Sequence, residues 1–175
     1  NLYLHSITVM KNWALFEKKK EVNTKLKTHY WLPNNKSTCV VALSNNTIVE
    51  EIIAGLKQLE ANFIIIWEEK SSDSKNIVFT KKVPSELLEW VNAFITDSKV
   101  EKLEEYMKAW IVPLILKENY LHALLREFNP MKNEGNAFIY DKENAWQIFY
   151  ALCRFLENAK FHFDYQNLVN NVSKI

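Results

Sequence analysis

Glycine is nearly missing from this chain, with 2 in 175 residues, where average usage near 7% would supply about a dozen. Glycine provides the tight turns and close backbone approach on which phosphate-cradling loops depend. With Gly55 and Gly135 as the whole supply, neither a GxGxxG fingerprint nor a P-loop exists here. Arginine occurs only at positions 126 and 154, so the basic residues are almost all lysine. Asparagine is frequent, a composition expected of an AT-rich coding sequence. Charge of one sign is lacking too: Lys+Arg 22 against Asp+Glu 21 leaves +1, with a pI near 7.9. That excludes a global basic field for nucleic acid or an anionic membrane. The longest apolar runs, 63–67 and 111–116, fall far short of the ~18 residues of a spanning helix. No charged region followed by a long apolar one opens the chain, so no signal peptide is visible and a cytoplasmic location is expected. The two cysteines, Cys39 and Cys153, sit in apolar surroundings without a CxxC partner, and are expected to be buried free thiols. His5, His29, His122 and His162 are remote from one another, so no metal ligand set is expected. GxSxG is absent.

What is present is a core-forming composition, 48% hydrophobic and 13% aromatic. Residues 1–35 read as a lead-in arm and helix ending at Pro33 and the Asn34-Asn35 turn. From residue 36 to 175 the pattern becomes regular. Short continuous apolar runs at 38–43, 63–67, 76–80, 93–96, 111–116 and 136–140 predict strands. Pro113 interrupts the ladder of the fifth. Helical spacing predicts helices over 47–60, 85–91, 100–110, 119–128, 145–158 and 165–172, with Thr47 as the cap of the first. Strands that are apolar throughout, alternating with helices, predict a parallel sheet covered on both faces. The expected fold is α/β, a Rossmann-like three-layer sandwich of about six mostly parallel strands.

In such folds ligands bind at the carboxyl edge of the sheet. Glu101, Glu104 and Glu105 open the helix after the fourth strand, and Glu68-Glu69 follow the second. A ligand-facing acid is one reading; ordinary acidic enrichment in a first helical turn is the other. Cys39 within a strand and Cys153 on an apolar helix face read as inert core rather than nucleophiles. The late aromatics Trp146, Phe149, Tyr150, Phe155, Phe161, Phe163 and Tyr165 read as core rather than as a stacking platform.

The order of elements and the local wording resemble the glycogen and starch synthases, specifically the C-terminal Rossmann-like domain of these GT-B glycosyltransferases. Ser6-Ile7-Thr8 with Trp13 resembles the stretch where that family crosses between its two domains. Asn23-Thr24-Lys25-Leu26-Lys27 before Trp31-Leu32-Pro33 is similar to its helix ahead of the second domain's first strand. Residues 83–98 (VPSELLEWVNAFITDS) carry the clearest likeness, with Asn92 where Asp is usual and Asp97 where Pro is usual. Residues 103–115 resemble the following helix and strand, and 134–140 with 145–156 the final strand and long helix. The likeness covers nearly the whole chain, through motifs that are individually weak.

The resemblance implies nucleotide-sugar-dependent glucan synthesis in a parent protein, with ADP-glucose or UDP-glucose as substrate, no resident cofactor, and an N-terminal GT-B domain or a glucan as partner. It places Glu101 as the catalytic or donor-facing acid, Glu105 as a weaker alternative, and Lys99, Asn45, Asn46 and Tyr120 beside the donor. The departures imply a degenerate donor site. Ser44-Asn45-Asn46-Thr47 stands where the family carries cations for the diphosphate, and Asn119-Tyr120-Leu121 falls near its glycine turn. A start at Asn1 with one GT-B half fits a piece of a longer protein. A non-catalytic module of GT-B descent that binds protein or glucan is the alternative function.

Overall fold

The computed structural model describes residue 24 and residues 26–88, 90–98, 100–119 and 124–175. In chain order these form β1 (Ser37–Ala42), α1 (Asn46–Leu56), β2 (Ala61–Ile66), β3 (Ile77–Thr80) and α2 (Ser85–Leu88). There follow β4 (Ala93–Thr96), α3 (Leu103–Lys108), β5 (Val112–Leu116), a 3₁₀ turn at Lys117–Asn119, β6 (Phe138–Tyr140), α4 (Ala145–Lys160) and α5 (His162–Val172). The six strands form one sheet in the order β3-β2-β1-β4-β5-β6, and every pairing is parallel. This is the Rossmann-like α/β architecture that the continuous apolar runs predict.

Register explains why those runs show no alternation. One row across the sheet is Phe79, Ile65, Val41, Ile95, Leu114 and Phe138. The next, on the opposite face, is Val78, Ile64, Val40, Phe94 and Pro113. The first face meets α4, where Phe138 and Phe155 stack edge-on at 6.0 Å. The second meets α3, through Phe94 against Tyr106 at 5.8 Å. Both faces are covered, so both sets of side chains must be apolar. Phe63, Ile64 and Ile65 are fully buried, each worth about 1.5–3 kcal/mol. Leu26 and Leu32, ahead of β1, join the same core.

Pro113 sits inside β5 at no cost to the ladder. Val112 donates to the O of Asn92, the residue before β4, at 3.0 Å, so the next residue faces β6, whose pairing begins only at Leu114 with Phe138. The missing N–H falls where it has no partner strand.

Several elements differ from the sequence reading. Asn45, not Thr47, caps α1, its side chain accepting from Thr47 N at 3.0 Å. The helices expected over 85–91 and 100–110 shrink to α2 and α3, and the one expected at 165 starts at His162. Residues 124–128 form no helix. Asn136 donates to Leu124 O and accepts from Arg126 N, and Asn136 and Ala137 N both donate to Arg126 O. These contacts take the backbone groups a helix would need. Gly135, at φ +87, permits the return of the chain against Glu127 and Phe128.

Cys39 is buried and free, and burial pushes its thiol up to about 12. Cys153 is free but only half-buried, because its side of α4 borders a cleft with Ser37 and Glu60. The late aromatics divide. Phe155 is fully buried, whereas Trp146, Tyr150, Phe161 and Phe163 are exposed. Ile148, Leu152, Phe155 and Leu156 claim the core side of α4, which turns Trp146 and Tyr150 outward.

Candidate functional site at the carboxyl edge

Because all strands run the same way, the segments after β1, β2, β4 and β5 leave from one edge of the sheet. The crossover from β3 back to β4 makes β1 and β4 neighbours whose connections depart in opposite directions. The crevice outside their carboxyl ends is where open α/β sheets take ligands.

Asp97 forms its floor. It is 6% exposed and follows directly on β4. Ser44 N donates to Asp97 Oδ2 at 2.8 Å and Oδ1 at 3.1 Å, and Ser44 Oγ donates to Oδ2 at 2.7 Å. Ser98 Oγ donates to Oδ1 at 3.1 Å. The carboxylate therefore ties the β1–α1 turn to the end of β4. Tyr140 closes the next wall, its hydroxyl donating to Thr96 O at 2.7 Å. Burial first, then the charges of Asp97 and Glu143, push that hydroxyl's pKa well above the usual tyrosine range. Lys117 pairs with Asp141 at 3.2 Å between the ends of β5 and β6.

Farther along the edge, Lys70 lies 4.4 Å over the Trp67 ring and 4.5 Å over Phe79. Its ammonium is engaged by two aromatic faces. An apolar groove of about 420 Å³ opens beside the edge, lined by Ala42, Ile66, Val83, Leu88, Thr96 and Val100 among others. The groove lies on the face that α3 packs against, with Val40, Phe94 and Tyr106 also in its lining.

The residues singled out by the sequence fall as follows. Asn45 and Asn46 are exposed in the turn at the crevice, with Asn45 committed to its cap. Glu101 is exposed in the turn after β4, and Glu105 is exposed on α3, 3.5 Å from Lys102. Lys99 and Tyr120 lie outside the described residues. Asp97 and Tyr140 were missed as site residues. A charged residue abutting a fully buried strand was the available signal for Asp97. Among the described residues no group of three or more His, Cys, Asp and Glu could hold a metal ion, and no helix is long and apolar enough to cross a membrane.

This strand order and edge define a Rossmann-like α/β domain, and its solved structural neighbours include glycosyltransferases. The catalytic domain of starch synthase IV from Arabidopsis thaliana, bound to ADP and acarbose, superposes with a TM-score of 0.71 at 16% identity. That match covers 90% of this chain and 39% of the plant chain. The spinosyn forosaminyltransferase SpnP matches at TM-score 0.55 and 16% identity, over 82% of this chain and 40% of that one. The chain thus spans well under two thirds of either protein. No protein-family model and no curated protein sequence matches it.

Proposed function

We propose that this chain is the donor-side half of a GT-B glycosyltransferase-like protein, related to the glycogen and starch synthases, whose nucleotide-sugar site is degenerate. The observation that carries this reading is the β1–α1 turn. It stands at the crevice with neither a cation nor a glycine, and its Ser44 and Thr47 N–H groups are already bonded to Asp97 and Asn45. In the parent protein an N-terminal half would close the cleft, and a glucan would be the acceptor. Glu101 is the donor-facing acid in this reading, Glu105 its weaker alternative, with Asn45, Asn46, Lys99 and Tyr120 around the donor.

Loss of two charge-assisted contacts, each about 1.5–3 kcal/mol, weakens affinity by a factor of ~10²–10⁴. Calorimetric titration with ADP-glucose and UDP-glucose is expected to show millimolar binding or weaker. Low-micromolar affinity, reduced by Lys99→Ala, would overturn the degenerate-site reading.

A second reading, a non-catalytic module that binds protein or glucan, is favoured by the exposed Trp146, Tyr150, Phe161 and Phe163. Quenching or enhancement of tryptophan fluorescence by a soluble glucan, abolished by Trp146→Ala, would support it.

A further inference from the structure

We propose that Asp97 is a built-in carboxylate that occupies the anion position of the switch-point crevice and shuts phosphorylated ligands out. The proposal rests on the half-domain reading above and names the residue that decides what this crevice refuses.

Two features of the contacts carry it. First, the donors are at the rim and the acceptor comes from within. Ser44 and Ser98 are exposed, while Asp97 is buried beneath them. An anion approaching from solvent therefore meets an N–H and two hydroxyls that already point inward at Asp97 Oδ1 and Oδ2. Second, the occupant is charged. Taking those donors from it would leave a buried carboxylate with fewer partners, next to a second negative group. Steric occupation and like-charge repulsion act in the same direction.

Among the described residues, the cations Lys81 and Lys82 are exposed at the neighbouring groove rather than bonded to Asp97. The Tyr140 hydroxyl is already committed, donating to Thr96 O, and the buried Thr96 hydroxyl accepts from Ser98 N. Lys117 is paired with Asp141, and Lys70 is held over Trp67 and Phe79. Asn45, beside Ser44 in the turn, presents an oxygen to Thr47 N. A ligand whose inner end is uncharged, such as a sugar hydroxyl face, has no such conflict.

The test titrates the full 175-residue chain with inorganic pyrophosphate and with ADP by calorimetry, after circular dichroism has shown each variant folded. Asp97→Ala frees the Ser44 donors and removes the charge. Asp97→Asn keeps the shape and removes the charge alone, and it carries the test if the alanine variant does not fold. The wild-type chain is expected to show no pyrophosphate binding at millimolar ligand, and at least one folded variant to bind it at least ten-fold more tightly. No gain in any folded variant, with the wild type silent, overturns the role of Asp97 and leaves the degenerate-site reading intact. Low-micromolar ADP binding by the wild type overturns both.

Discussion

Gly55→Ala provides a sharp test of how α1 and α4 are packed. Alanine in a helix is ordinarily favoured over glycine by up to about 1 kcal/mol. Here the added Cβ would lie 2.6 Å from Phe149 Cε2, with Cδ2 and Cζ at 3.1 and 3.2 Å. The ring must turn outward, losing its seat against the helix. Overpacking of this kind costs about 1–3 kcal/mol. The two effects oppose each other, and the expected net is a loss of about 0.5–2 kcal/mol in urea denaturation. The decisive measurement is the same substitution in a Phe149→Ala background. With the ring gone only the propensity remains, so Gly55→Ala should then stabilise by about 0.5–1 kcal/mol. The sign reverses, with a coupling of roughly 1–3 kcal/mol between the two sites. Equal effects in both backgrounds would refute the reasoning, since they would show that Phe149 does not constrain position 55.

Gly135→Ala should be worse, because φ is +87 and the new Cβ would sit 2.0 Å from Glu127 O. A loss of at least about 3 kcal/mol is expected, and an unchanged melting temperature would contradict it. Stability should also fall in alkali. Burial raises Cys39 from 9.0 and Tyr165 from 10.0, each to about 12. The unfolded chain therefore sheds these protons first, and the stabilisation is complete below about pH 9 and lost between about pH 9 and 12. The slope is about 1.4 kcal/mol per pH unit for each titrating group; a urea midpoint that stays flat to pH 11 would exclude it. In thiol labelling of the native protein, Cys153 should react ahead of the buried Cys39, and Cys153→Ser should remove the faster phase.

The sheet was legible because parallel strands covered on both faces have no polar side to show. Runs such as TCVVA and NFIII can be little else once helical stretches separate them. The helices were less legible at their ends. Residues 124–128 end a stretch of helical spacing, but Asn136, further along the chain, takes the backbone groups of Leu124 and Arg126, and no local pattern announces that. Trp146 and Tyr150 were misread for a different reason. Hydrophobicity alone does not distinguish them from Ile148, Leu152 and Phe155, which claim the core side of α4. At the site, the sequence marks Asp97 as a charge abutting a buried strand and as a departure from a resemblance, but not its partner. Its contacts to Ser44 span 53 residues and arise from the adjacency of β1 and β4, which depends on the crossover after β3.

That same strand order has a consequence for a chain emerging from the ribosome. β1 pairs with β2 on one side and with β4 on the other. Residues 37–80 can assemble three strands in sequence, yet the second edge of β1 stays open until residues 93–96 have been made. The open edge runs along Thr38, Cys39, Val40 and Val41, all buried in the finished sheet. An apolar edge without lysine or proline is an invitation to pair with another copy. A chain halted at residue 92 should therefore self-associate, whereas supplying 93–96 seals β1 between two partners. In the order of synthesis, the open edge passes to β4 and then to β5, and it is covered only when residues 138–140 pair with β5.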